Sequence, residues 1–255
     1  FFHLQRQWLP GGFVGVDIFF VISGYLITSI IISDYDAKIF SFARFYQRRI
    51  ARIFPAFFIV ALVTLAMASI VYSPQDLASA GAVFIAALLS IANIKFMLQG
   101  NYFELSPDAQ PFLHYWSLSV EEQFYILFPV FLFLILRYAR GAAFGILVAL
   151  TLLSFAANIV LTDRNPVWAF YLLPTRAWEL LVGSSIAVMP FAARRRISSM
   201  MLGLLPWAGA LLVVVSFVLI AEGTRFPGWI AVLPTAGVAP LFFSIYRRSS
   251  PMLGW

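Results

Sequence analysis

Apolar stretches recur along almost the whole chain, separated by short polar segments, and several reach the roughly twenty residues that a helix needs to cross a bilayer. Phe1 to Leu9 reads as the tail of an apolar helix, and Pro10, Gly11 and Gly12 turn the chain. Phe13 to Ile32 is a second span whose one charge, Asp17, falls in its opening turns. Asp34 to Arg52 reads as a polar loop with Lys38, Arg44, Arg48, Arg49 and Arg52, and Ile53 to Tyr72 as a third span. Leu77 to Leu98 is helical in pattern but polar at its far end, at Asn93 and Lys95. The segment PFLHYWSLSVEEQFYILFP, Pro111 to Pro129, puts six polar side chains immediately ahead of a run ending near Arg137. Further spans are predicted at Gly141 to Leu161, Phe170 to Pro190, Ser199 to Ile220 and Trp229 to Tyr246. The runs are continuous rather than alternating at every second residue, which predicts helices rather than a β-barrel. The expected fold is all-α, a polytopic transmembrane helical bundle of about 7–9 membrane helices forming one domain over residues 1–255.

The basic clusters at 44–52, 137–140, 194–196 and 247–248 lie between apolar runs, where the positive-inside rule places cytoplasmic loops. An even number of crossings must then separate Arg52 from Arg137. Three candidate helices lie between them, so one does not span. Leu77 to Leu98 is assigned as a re-entrant or partly immersed element, which puts Ser73 to Asp76 and the approach to Glu121–Glu122 on the outer side. Gly11, Gly15 and the Ser23–Gly24 pair are small enough to let a neighbouring helix approach closely.

Composition sharpens this picture. A chain that is 62% hydrophobic and 11% charged lies far from soluble proteins. Its net charge of +6 is accounted for by the loop clusters, so no nucleic-acid partner is implied. With no cysteine and two histidines there is no thiol chemistry, no disulfide framework and too few ligands for a metal cage. There is no GxxxxGK phosphate loop.

The candidate chemistry is therefore carried by a few polar side chains. On a helix Arg48 and Arg52 share a face, as do Arg49 and Arg52. Guanidinium forks in that arrangement suit a phosphate-rich ligand, although a topogenic loop facing anionic headgroups explains them on composition alone. His3, near a helix exit, has the proton affinity of a general base at neutral pH, or serves as an interfacial hydrogen-bonding residue. Asp17 either orients His3 or a partner arginine, or caps its helix. Arg176 and Glu179 can pair at i,i+3. His114, Ser117 and Glu121 follow helical spacing, while Glu122 projects about a hundred degrees further round. Adjacent carboxylates at the mouth of a membrane helix are functional candidates by default.

Four blocks, GGFVGVDIFFVISGYLIT, FYQRRIARIFPAF, PFLHYWSLSVEEQFYILFP and FYLLPTRAWELLVGSSIA, closely resemble the signature blocks of the acyltransferase family 3 membrane enzymes, in order and over nearly all of the chain. The resemblance implies a bacterial inner-membrane O-acyltransferase. It would move an acyl group, commonly acetyl, from cytoplasmic acyl-CoA to a hydroxyl of a surface glycan such as lipopolysaccharide O-antigen. It places the family's catalytic histidine at His3, its RxxR donor element at Arg49 and Arg52 with Arg48 beside them, and its glutamates at Glu121 and Glu122. The arginine cluster then reads as a donor site. Asp17, Glu121 or Glu122 would orient His3, and His114, Ser117, Arg176 and Glu179 would line the acceptor side. No tightly bound cofactor is implied. The family's usual arginine ahead of the histidine, its later helices and an SGNH-type domain would fall outside residues 1–255. The rival from another class is a transporter or flippase of a glycan precursor, with Asp17, Glu121 and Glu122 as relay groups.

Overall fold

The protein is described by a computed structural model covering residues 11–100, 110–189, 199–220 and 225–249. The described residues are helical and contain no strand. A short 3-10 turn, Gly12–Val14, leads into α1, Gly15–Asp36. Then follow α2 (Phe42–Val71), α3 (Pro74–Leu88), α4 (Ala92–Gln99), α5 (Tyr115–Tyr138), α6 (Ala143–Arg164), α7 (Pro166–Tyr171), α8 (Leu173–Val188), α9 (Ser199–Leu219) and α10 (Val232–Ser249). Gly12–Asp36, Phe42–Val71, Tyr115–Tyr138 and Arg140–Arg164 are long and apolar enough to cross a membrane. A bundle with a lipid-facing apolar surface follows from this. On α2 the residues Ile59, Leu62, Val63, Met67, Ile70 and Val71 are all exposed, as a helix satisfying its own backbone bonds can allow in hydrocarbon.

The bundle is built around the pair α1 and α8. A Cβ on Gly24 would stand 1.8 Å from the Leu180 carbonyl oxygen, and one on Gly183 would stand 2.0 Å from that of Val21. The two backbones touch because neither position carries a side chain. Ser184 ties the contact by donating its hydroxyl to the Gly24 carbonyl at 3.2 Å. Gly209 and Gly237 bring α9 and α10 together in the same way. Gly11 packs on Phe217 of α9 and donates its N–H to that carbonyl at 3.1 Å. Gly15, by contrast, has nothing within 4 Å of where a Cβ would be and makes no such contact.

Two of the basic clusters meet the acidic end of α1. Arg140, just before α6, reaches Asp36 at the end of α1 at 2.8 Å, and Arg48 of α2 pairs with Asp34. Asp34, Asp36, Arg48 and Arg140 therefore share one end of the bundle.

The segment expected to be re-entrant is a broken hairpin. Helix α3 stops in a paired-bond cap: Ile91 N–H bonds the Ala86 carbonyl and Ser90 N–H bonds that of Ala87. The left-handed position of the cap is held by Ser90, φ 58°, where glycine is usual. Phe84 on the way in packs on Phe57 and Phe112, and Phe96 on the way back stacks on Tyr171. Both arms thus flank the start of α5, while Ser90 at the tip reaches Glu122 and Gln123 further down it.

Two element boundaries differ from the sequence reading. The arginines of 44–52 lie on the first turns of α2 rather than in a loop. Phe40 and Phe42 pack on Phe133 of α5, and buried Phe45 and half-buried Tyr46 continue that face, so the helix starts at Phe42 although the segment is rich in charge. The span predicted from Phe170 to Pro190 is two helices. The chain is extended at Leu172, so α7 ends at Tyr171 and α8 begins after it.

Candidate active site

Polar groups are threaded along α1 from one end of the bundle to the other, in three groups. Asp17 and Ser23 are separated by about 9 Å along the axis, and Ser23 and Ser33 by about 15 Å, at 1.5 Å per residue.

The first group is a fully buried ion cluster. Arg176, on the opening turn of α8, donates from Nη2 to Asp17 Oδ1 at 3.0 Å and lies 3.2 Å from Glu179 Oε2. All three side chains are inaccessible to solvent. The guanidinium carbon sits 5.5–5.8 Å from the ring centres of Phe20, Trp116, Phe170 and Phe226. Four aromatic faces replace part of the hydration that burial removes. Among the described residues, Asp17 Oδ2, Glu179 Oε1 and Arg176 Nε and Nη1 have no hydrogen-bond partner. Of the alternatives for Asp17, the structure shows the partner arginine.

The second group lies deeper, between α1, α2 and α5. Glu121 is buried and accepts a hydrogen bond from the Tyr125 hydroxyl one turn on, with the Ser23 hydroxyl beside both. The Arg49 guanidinium lies 4.6 Å from the centre of the Tyr125 ring and 5.9 Å from that of Phe45. Tyr46 fastens α2 to α5 by donating to the Ile126 carbonyl at 2.8 Å. Glu122 faces another way, as its helical phase requires. It accepts from the Ser90 hydroxyl, while Gln123 donates to the Ser90 carbonyl at 2.8 Å and to Asn93 Oδ1 at 2.9 Å. Asn93 in turn donates to the Tyr171 carbonyl at 3.0 Å. The two adjacent glutamates therefore serve different neighbourhoods, Glu121 the α1–α2 side and Glu122 the hairpin tip.

The third group is a cavity of about 530 Å³ at the Asp34 end, lined by Leu26, Ser29, Ile30, Ser33 and Asp34 of α1 and by Phe45, Arg48, Arg49 and Arg52 of α2. Arg48 is held by Asp34. Arg52 is exposed and has no ion-pair partner among the described residues. Three guanidinium groups around one apolar-floored cavity suit a ligand with a polyanionic head and a less polar arm.

Of the residues singled out from sequence, Arg48, Arg49 and Arg52 come together at this cavity, with Glu121 next to Arg49. Asp17, Arg176 and Glu179 form the separate buried cluster. His114 and Ser117 stand at the far end of α5, where Ser117 donates to the His114 carbonyl at 3.1 Å and the His114 ring packs on Tyr115. His3 lies outside the described residues. Sequence reasoning missed Tyr125, Ser23, Ser90 and Asp34. Tyr125 alone carried a signal, one helical turn after Glu121.

The fold and these groups define a multi-pass helical membrane protein with an arginine-lined cavity at one end and buried carboxylates above it. The whole chain, residues 1–255, matches the family model described as an acyltransferase domain, and the chain belongs to that family, acyltransferase family 3. It is 36% identical over 205 residues to the O-acetyltransferase OatA of Staphylococcus aureus (strain NCTC 8325 / PS 47), covering 77% of this chain and 34% of that protein. It is 34% identical over 197 residues to the peptidoglycan O-acetyltransferase OatA of Listeria monocytogenes, covering 74% of this chain and 32% of that protein. An uncharacterized protein of Haemophilus influenzae is 38% identical over 182 residues, covering 68% of this chain and 74% of its own length. The chain thus spans about a third of the length of the two OatA relatives. No solved structure matches it.

Proposed function

We propose that this chain is the membrane-embedded part of an O-acetyltransferase that takes an acyl group from cytoplasmic acyl-CoA and transfers it to a hydroxyl of an envelope glycan. The observation that carries this reading is the arginine cavity between the last turns of α1 and the first turns of α2, in a member of an acyltransferase family. Arg49 and Arg52 would hold the phosphates of the donor, and its less polar arm would follow Ile30, Leu26 and the serines of α1 inward. In the transfer, the acceptor oxygen attacks the thioester carbonyl, the C–S bond breaks and CoA leaves as thiolate. The proton lost by the acceptor hydroxyl passes to a base and then to the thiolate. The resemblance assigns that base to His3. The acceptor is a carbohydrate hydroxyl, in lipopolysaccharide O-antigen as expected from the signature blocks or in peptidoglycan as the name of the Listeria relative says. The bacterial inner membrane is the compartment where cytoplasmic acyl-CoA and envelope glycan precursors meet across one bilayer.

The test uses the full-length protein in inner-membrane vesicles with labelled acetyl-CoA and either O-antigen or peptidoglycan precursors as acceptor. Label should enter one of the glycans and fall at least tenfold in Arg49→Ala/Arg52→Ala. Glycan movement without acetyl-CoA consumption would replace the enzyme by a transporter. Transfer that is indifferent to both arginines would remove the donor site from this end.

A further inference from the structure

We propose that Tyr125 is the positioning residue of the donor site, its ring seating Arg49 and its hydroxyl joining that seat to Glu121; this rests on the donor reading of the arginine cavity. Three observations meet at this side chain. The Arg49 guanidinium lies 4.6 Å from the Tyr125 ring centre, closer than its approach to Phe45 at 5.9 Å. The Tyr125 hydroxyl donates to the Glu121 carboxylate. Glu121 is buried, so its orientation is set by Tyr125 and by Ser23 rather than by water.

Arg49 differs from its two neighbours in this respect. Arg48 is exposed and fixed by Asp34, and Arg52 is exposed, whereas Arg49 is half buried and directed inward over an aromatic face. A ring attracts a guanidinium through its quadrupole rather than through a hydrogen-bond acceptor, so the contact does not consume the N–H donors. Tyr125 therefore fixes where Arg49 points without using the hydrogen bonds that a phosphate would take. A carboxylate directly against Arg49 would have used them. Glu121 is instead tied to the hydroxyl end of the same side chain. Movement of Arg49 on donor binding is then transmitted through one rigid side chain to a buried carboxylate of α5. The two halves of the side chain separate cleanly by substitution, since phenylalanine keeps the ring and loses only the hydroxyl.

The experiment measures coenzyme A affinity, and acetyl transfer from labelled acetyl-CoA to envelope glycan, with the full-length protein in nanodiscs. Arg52→Ala is the control for the donor site itself. Tyr125→Leu should weaken coenzyme A binding about tenfold, close to the effect of Arg49→Ala. Tyr125→Phe should bind coenzyme A within about twofold of the wild type, yet lose about tenfold in kcat at unchanged donor KM. A merely structural tyrosine would move neither parameter selectively once the melting temperature matched the wild type. Wild-type coenzyme A affinity in Tyr125→Leu, with Arg49→Ala and Arg52→Ala both weakened, would overturn this inference and leave the donor site standing. Wild-type kcat in Tyr125→Phe would overturn the Glu121 half. Coenzyme A affinity unaffected by both arginines would overturn the donor site and this inference together. If Tyr125→Leu does not fold, Tyr125→Met takes its place in the coenzyme A affinity measurement, while Tyr125→Phe and Glu121→Gln decide the Glu121 half by whether both lower kcat to the same extent.

Discussion

The Arg176 guanidinium lies 3.0 Å from Asp17 Oδ1, joining the first turn of α8 to the first turn of α1 with neither side chain reaching solvent. The Gly24–Gly183 contact lies further along the same pair, so the most intimate packing in the bundle is clamped at one end by a charge pair. A buried pair adds little net stability over apolar residues, yet removing one partner strands the other. The cluster therefore fixes the register of α1 against α8 and, through that, the place of Ser23 and Ser33 on the polar face.

The first prediction concerns that clamp. Arg176→Leu should destabilise the folded protein by about 3–5 kcal/mol, because Asp17 and Glu179 are left facing each other without a cation. Adding Asp17→Asn should restore part of that loss, giving a coupling energy above about 1 kcal/mol. Thermal unfolding of the purified variants in detergent measures both.

Close approach of α1 and α8 makes a second prediction. Gly24→Ala and Gly183→Ala each force a methyl into a neighbouring carbonyl oxygen and should each destabilise by about 1–3 kcal/mol. Gly15→Ala, where the space is open, should be neutral or slightly stabilising. Equal melting temperatures for the three would contradict the packing.

A third prediction separates the arginines. Asp34 lines the cavity and occupies Arg48. Asp34→Asn removes a negative charge from the site and releases that guanidinium, so the KM for an anionic acyl donor should fall about two- to fivefold. Arg48→Ala should raise it less than Arg52→Ala does. Steady-state kinetics across acetyl-CoA concentration at fixed salt reads both effects.

The fourth prediction concerns the hairpin tip. Ser90 holds φ 58° and donates to Glu122. Ser90→Ala loses the hydrogen bond and keeps the left-handed strain, whereas Ser90→Gly loses the bond but relieves the strain. Alanine should therefore be the less stable of the two by about 1 kcal/mol. Hydrogen exchange at Ile91 and Ala92 should rise more in the alanine variant.

Much of this fold is legible in the residue order alone. The positive-inside pattern required one of three helices between Arg52 and Arg137 not to cross, and the segment chosen for its polar end, Leu77 to Leu98, is the broken α3–α4 hairpin. Helical phase alone pointed Glu121 and Glu122 in different directions. The start of α2 is not legible from charge, which suggests a loop, because the packing of Phe40 and Phe42 on Phe133 carries the helix back to Phe42.

Hydrophobic run length and signature blocks determined the membrane class and the family, because those properties are written locally in residue order. Which charges meet was decided only by the tertiary structure. Asp17 and Arg176 are separated by 159 positions, and their contact exists because two glycines let α1 and α8 touch. Arg49, Tyr125 and Glu121 come together because α2 packs back on α5. Pairing of this kind depends on how helices pack in three dimensions, and no local pattern along the chain encodes it.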